Sequence, residues 1–316
     1  MFGWLYHNFT YVSLVLFFLL MAIESLLSLV EDQKIYSLKD TWVNLSTGLF
    51  AFYWPAMAGL FFLAALHQGL ESYALFKLPS LWKSFIFEGK THLLLLGLLF
   101  LMDDFCYYWY HRISHINRFF WCIHEVHHSS EEYNFSVFFR ASFLEYVFQG
   151  VFWVPLILIG FTLEDIVFQM SVSLFYQFLL HTKFTKKLPI FDFFWNTPSH
   201  HRVHHSINIP YLDKNFGAIF IIWDRIFGSF AEEKDILQYG VLSPISSFNP
   251  LKVCLKSFGD LIHDIANAPD WKSKLLYLWS PPGWTWDGHG KTTKIIQDDY
   301  LCRGLSEKQL EMRLKA

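Results

Sequence analysis

The residues of this sequence that most clearly predict chemistry are its histidines. Ten of the 15 histidines lie between positions 111 and 205, and nine of those ten follow a regular spacing. They form a His-x3-His pair, a His-x2-His-His cluster, a single histidine and a second His-x2-His-His cluster: His111 and His115; His124, His127 and His128; His181; and His201, His204 and His205. Residues three or four apart lie on one face of a helix, so each cluster directs its imidazoles toward a common point.

Nine imidazoles at this spacing indicate a metal centre. Crowded together without a metal, they would be buried as unmatched polar groups, at a cost of several kcal/mol in sum. Imidazole suits Fe, Zn, Cu or Ni rather than Mg or Ca. Shared between two ions, the nine provide four or five ligands for each and leave open positions where oxygen could bind. His200 breaks the spacing and is predicted to be a neighbour of the site, not a ligand.

Two other residues are candidates for supporting the metal ligands. Asp104 lies seven residues before His111 and therefore on the same helical face, where its carboxylate could orient an imidazole; an interface or capping aspartate is the alternative. Gln177 lies four residues before His181, which is compatible with a ligand or with an ordinary contact along a helix.

Two other functions use similar motifs. The segment from His124 to His128 contains His-Glu-x-x-His, the pattern of zinc proteases, in which the glutamate is a general base. However, a catalytic zinc takes three protein ligands, and the second copy of the motif has Arg202 in place of the glutamate. A metal transporter would place its ligands near the middle of the membrane, whereas these clusters follow the ends of apolar segments. Both remain remote alternatives to an oxygen-activating metal pair.

The composition predicts an all-α integral membrane protein. Hydrophobic residues make up 53% of the chain and charged residues only 17%, against about 25% in an average soluble protein. Five apolar segments approach the length that crosses a bilayer: 10–30, 43–66, 93–110, 143–161 and 166–180. The last two are separated by residues 162–165 and predict a tight helical hairpin. We therefore expect a bundle of four to five spans. A net charge of -3 without a basic stripe argues against nucleic acid as a partner.

Counting crossings predicts where the histidines lie. A hairpin returns the chain to its starting side, so segments 111–142 and 182–316 share one face. Together they contain 20 of the 25 Lys and Arg residues, which favours the cytosol. The prediction is a multi-pass bundle over residues 1–181, which includes the first two motifs, and a helical cytosolic cap over 182–316, which contains the last motif.

The motifs resemble those of the fatty acid hydroxylase/sterol desaturase superfamily, membrane di-iron oxygenases with several spans before the same order of histidines. The details are similar to its alkylglycerol monooxygenase-like branch, over about residues 100–250. The similar stretches are 108–112, 127–131, 196–205, 212–217, 223–228 and 239–241 followed by Pro244. Three positions depart from the branch pattern: Ile116, Ser206 and Ile207.

The resemblance implies that the nine histidines bind two iron ions, with zinc as a substitute in purified protein. It implies O2-dependent hydroxylation of a membrane lipid, with cleavage of an alkyl ether as the first specific expectation. The alternative within the family is hydroxylation or desaturation of an acyl lipid or a sterol. Electrons would come from an external donor, either a protein or a small reductant such as a pterin.

Overall fold

The computed structural model describes residues 2–81 and 90–303, and within them the protein is helical without a strand. The described helices are α1 (Phe2–Val30), α2 (Leu38–Leu70), α3 (Lys90–Ile116), α4 (Arg118–His128), α5 (Glu145–Gln149), α6 (Val154–Ile159), α7 (Leu163–Leu180), α8 (Pro198–His204), α9 (Ile222–Ile226), α10 (Pro250–Asn267), α11 (Trp271–Trp279) and α12 (Thr293–Arg303). The all-α prediction is confirmed.

Three of the described helices are long and apolar enough to cross a membrane. Their apolar stretches are Asn8–Val30, Leu38–Tyr73 and Lys90–Ile116. Large apolar side chains point outward from α2, where Leu49 is 74% exposed, Trp54 71% and Phe61 69%. Such a surface is unfavourable in water but suits lipid chains. The first three apolar segments of the sequence therefore form helices that fit a bilayer.

The fourth apolar segment is not one continuous helix. α5 continues through a 3₁₀ turn, Gly150–Trp153, into α6, and neither helix alone has the length of a span. Pro155 lies in the first turn of α6, where the missing proline N–H costs no hydrogen bond. The 3₁₀ turn and Pro155 therefore interrupt the helix. The hydropathy of the segment does not reveal this interruption. The exact number of spans stays a prediction.

The hairpin predicted at 162–165 is present and begins two residues earlier. Gly160 has a φ of +114°, a left-handed conformation that favours glycine, and a Cβ there would lie 1.9 Å from the Phe76 carbonyl oxygen. Thr162 caps α7 by accepting a hydrogen bond from the Asp165 backbone N–H at 3.2 Å. The carboxylate of Asp165 also accepts a 2.9 Å hydrogen bond from the Leu81 N–H. The turn is therefore anchored to the loop that follows α2.

The hairpin extends along the height of the bundle. At its start, Glu145 contacts His124 at the end of the bundle that carries the histidines. At its turn, the backbone N–H groups of Phe76 and Leu78 donate to Ile159 and Gly160, at the other end. Between these ends, Trp153, Leu156 and Ile157 are buried in a cluster with residues of α2 and α3. The hairpin is thus part of the bundle core.

The segment after His181 forms a cap over the histidine end of the bundle. α10 and α11 pack on α4 through buried Cys122, Leu261 and Tyr277. Asn249 caps α10 by accepting from the backbone N–H groups of Leu251 and Lys252. Because cap helices contact α2 and α4 directly, cap and bundle share packing, and the domain boundary at residue 181 stays a prediction.

Candidate metal centre

The nine histidines singled out by their spacing meet between the bundle and the cap, where they form two groups. The five-histidine group contains His111, His115, His124, His128 and His204, and the four-histidine group contains His127, His181, His201 and His205. Within each group, one nitrogen from every histidine lies within 4.8 Å of the others. His200 belongs to neither group and packs on Phe230, with ring centroids 5.4 Å apart.

Helix geometry explains how the two groups interleave. Residues 124 and 128 are four apart on α4 and face the five-histidine group, while His127, one position earlier in the turn, faces the other group. At α8 the distribution is reversed. His201 and His205 belong to the four-histidine group, and His204 belongs to the five-histidine group. Neither group can form unless α4 and α8 face each other.

Backbone carbonyls fix the orientation of four imidazole rings. The Nδ1 atoms of these rings lie 2.8–3.1 Å from carbonyl oxygens, in the pairs His111 with Phe216, His127 with Arg140, His181 with Gln177, and His204 with Lys214. A carbonyl can only accept a hydrogen bond, so Nδ1 carries the proton and Nε2 presents its lone pair. This is the arrangement in which a histidine is ready to bind a metal through Nε2.

The Nε2 atoms face one another at short range. His111 and His124 approach to 3.0 Å through these atoms, and His181 and His201 approach to 3.1 Å. His115 and His204 have buried Nε2 atoms without a hydrogen-bond partner among the described residues. Lone pairs that face each other in a buried site repel, and unpartnered buried nitrogens are costly. A cation among them would remove both penalties, so the residues fit a metal pair.

Burial keeps the imidazoles of the cap and of α4 neutral. Loss of solvent, followed by repulsion from neighbouring imidazoles, lowers the pKa of five of them well below 6.5: His127, His128, His201, His204 and His205. Burial lowers the pKa of His181 to about 4. Metal binding requires the neutral form of histidine, so these side chains need not lose a proton at neutral pH.

Two carboxylates that the sequence did not reveal support the five-histidine group. Glu145 Oε1 lies 3.2 Å from Nδ1 of His124 and also accepts a 2.7 Å hydrogen bond from the Tyr110 hydroxyl. Asp213 Oδ1 lies 3.3 Å from Nδ1 of His115. A carboxylate behind an imidazole fixes the ring and makes it a stronger donor to a metal. Separations of 21 and 98 residues gave no signal for these pairs in the sequence.

The contacts of Asp104 and Gln177 favour the alternative role that the sequence left open for each residue. The carboxylate of Asp104 contacts no imidazole: it accepts hydrogen bonds from the Ile219 N–H at 2.6 Å, the Phe220 N–H at 3.2 Å and Trp223 Nε1 at 2.9 Å. It therefore holds the loop 219–223. The Gln177 side chain donates to Ser173, and only its backbone carbonyl orients His181. Helical spacing put both residues on the correct face but could not predict which atoms they would contact.

A cavity of about 270 Å³ leads to the five-histidine group through the cap. His115, His128 and His204 form its inner wall, together with Trp121 and Glu125. The ring of Trp121 lies 5.1 Å from that of His115, centroid to centroid. The cavity gives a route from the cap to the predicted metal position.

Comparison with known proteins finds similarity over the segment that contains these histidines. A family profile described as Fatty acid hydroxylase matches residues 96–229, a segment that contains all nine histidines. Alkylglycerol monooxygenase from Xenopus tropicalis is 33% identical over 285 residues, which are 88% of this chain and 59% of the relative. The Homo sapiens enzyme of the same name is 34% identical over 282 residues, 87% of this chain and 59% of the relative. The Danio rerio enzyme is 40% identical over 190 residues, 60% of this chain and 42% of the relative.

The chain spans 59% of the length of the Xenopus and human relatives. No solved structure gives a significant match. The profile covers every histidine motif, and the similarity to the relatives extends over most of this chain. Residues 96–229, which contain the histidine motifs, are therefore similar to the fatty acid hydroxylase family, and most of the chain is similar to part of the alkylglycerol monooxygenases.

Proposed function

We propose that this protein is a membrane monooxygenase that hydroxylates a lipid chain with O2 at a pair of iron ions bound by the nine histidines. The observation that carries this proposal is the meeting of nine inward-facing imidazoles as two groups of five and four. A purely histidine ligand set suits iron and zinc, and a zinc protease needs only three ligands. When bound, the metal pair supplies the activation of O2.

The chain's own residues hold this centre in place. The carbonyls behind the imidazoles and the carboxylates of Glu145 and Asp213 keep the Nδ1 protons away from the metal positions. Hydroxylation places one oxygen atom of O2 in the lipid and reduces the other to water, so two electrons and two protons must come from an external donor. A redox protein or a small reductant such as a pterin would fill this role.

An alkyl ether lipid is the first substrate we propose. Hydroxylation of the carbon next to the ether oxygen gives a hemiacetal, which breaks down to an aldehyde and a free alcohol. The relatives named alkylglycerol monooxygenase favour this substrate. The departures at Ile116, Ser206 and Ile207 count against this substrate and against a pterin, so an acyl lipid or a sterol is the second candidate.

Incubation of the purified protein with matched ether and acyl lipids under 18O2 separates these candidates. We expect aldehyde released from the ether lipid, with about two iron ions per chain by metal analysis. A labelled 2-hydroxyacyl product would support the second candidate, and a new double bond without added oxygen would indicate a desaturase. One zinc ion per chain and no oxidation of any lipid would contradict the proposal.

We also propose that the histidine centre faces the cytosol. This rests on the distribution of Lys and Arg along the sequence, which is a positive-inside argument. In a Cys302→Ser background, the described cysteines that remain are buried. Single cysteines at exposed Glu131 and Lys274 should then resist impermeant reagents applied to intact cells, and a cysteine at exposed Gly69 should react. Labelling of positions 131 and 274 from outside, with protection of 69, would reverse the orientation.

A further inference from the structure

A second cavity, of about 200 Å³, lies inside the bundle between α2, the α5–α6 segment and α7. Most of its wall is apolar, with Leu63, Trp153, Val167 and Leu174 among the lining residues. Leu60 also lines it and is 41% exposed, so one wall reaches the outer face of α2. The cavity therefore lies on the membrane side of the histidines, opposite the cavity in the cap.

Two residues that line this cavity contact one histidine from each group. Tyr107 lines the cavity one turn before His111, and the two rings lie 5.3 Å apart, centroid to centroid. Gln177 lines it as well, and its carbonyl holds His181 of the four-histidine group. A molecule in the cavity could thus extend from the apolar interior of the bundle to the predicted metal positions.

Several polar groups line the cavity, among them two tyrosine hydroxyls. The hydroxyl of Tyr107 makes no hydrogen bond to any described residue, and the same holds for the hydroxyl of Tyr146, which also lines the cavity. A hydroxyl without a partner inside a protein is costly unless a ligand satisfies it. The cavity is therefore matched to a ligand with a long apolar portion and an oxygen atom near the histidines.

We propose that this cavity holds the alkyl chain of the lipid substrate and that the Tyr107 hydroxyl donates a hydrogen bond to the oxygen attached to that chain. This inference rests on the proposed oxygenase function and adds to it the binding site of the chain. It places the carbon next to the bound oxygen closest to the histidines and therefore predicts oxidation beside the head group instead of deep in the tail.

A matched pair of variants on α2 tests the position of the chain. Ala56 lines the cavity, whereas Ala58 is exposed on another face of the same helix. Ala56→Phe should fill part of the cavity and shift the preference of the enzyme toward shorter chains, roughly tenfold in the ratio of kcat/KM values. Ala58→Phe should leave that preference unchanged. An unaltered preference in both variants would overturn the assignment.

Photocrosslinking gives a readout that does not require turnover. An alkylglycerol with a diazirine in the middle of its chain should label Met170 or Leu174, which line the cavity. Ala56→Phe should abolish that labelling and Ala58→Phe should preserve it. Labelling in the cavity without oxidation of the lipid would support the binding site and contradict the oxygenase function. Oxidation with labelling elsewhere would reject the binding site alone.

A comparison of two ligands tests the hydrogen bond. Tyr107→Phe should lower kcat/KM for an ether lipid by roughly tenfold, the usual range for one lost hydrogen bond. It should have little effect on an analogue in which CH2 replaces the ether oxygen. Tyr53→Phe on the outer face of α2, where Tyr53 is 68% exposed, is the control. An equal loss with both ligands would contradict the role of the hydroxyl.

Discussion

Replacing either His124 or His204 with alanine is expected to abolish lipid oxidation and to release metal. Both histidines belong to the five-histidine group. Their rings lie 5.4 Å and 5.3 Å from those of His127 and His201 in the four-histidine group, so loss of one imidazole is expected to disturb both positions. The double variant should be no less active than either single variant, because losses within one catalytic unit are not additive. Turnover and metal content of the purified variants give the measurement.

His200→Ala is the matched control, because His200 is equally buried but lies outside both groups. We expect this variant to keep its metal and most of its activity. Near-normal turnover with full metal content in His124→Ala or His204→Ala would refute the assignment of the nine ligands.

Arg140→Ala is expected to destabilise the protein by about 3–5 kcal/mol, the range for breaking a buried ion pair. Arg140 is only 3% exposed, and its guanidinium donates to Asp40 and to Asn44, each at 2.8 Å. Its backbone carbonyl meanwhile accepts from Nδ1 of His127 at 3.1 Å. The substitution leaves the Asp40 carboxylate buried without its partner and loosens a histidine of the four-histidine group. Thermal unfolding in detergent and metal content would measure the two effects.

The combination of Asp40→Asn with Arg140→Met separates charge from shape. Because this double variant contains no unpaired buried charge, it should recover much of the stability that Arg140→Ala loses. Lys187→Ala, which breaks an exposed pair with Glu232, should change little. If the Arg140→Ala variant unfolds at the same temperature as the unaltered protein, the ion pair between Arg140 and Asp40 does not stabilise the surroundings of His127.

Patterns local in the sequence predicted which histidines would lie together. Residues three or four apart lie on the same face of a helix. The sequence itself therefore predicts that His124 and His128 belong to one group. The bundle was predictable for a similar reason, since a run of about 20 apolar residues has few alternatives to a membrane-crossing helix. Both inferences need no knowledge of tertiary packing.

The contacts that support the ligands depend on packing between distant segments. Asp213 reaches His115 only because the loop after α8 folds back over the end of α3. The carbonyls behind the imidazoles leave no trace in the sequence, since every residue has one. The sequence left two roles open for Asp104 for a related reason. The correct helical face was identified, but backbone N–H groups of the loop at 219–220 occupy its carboxylate.

The turn at Gly160 also constrains how many times the chain can pass through a bilayer. His128 and His204 belong to the same histidine group, so they lie on the same side of the membrane. This turn joins α5–α6 to α7. Either both of these segments cross the membrane or neither does. If α1, α2 and α3 each cross, the total number of crossings is odd, either three or five. Four crossings are then excluded. In either case the start of α1 and the cap lie in opposite compartments, and reporters placed there should give opposite signals.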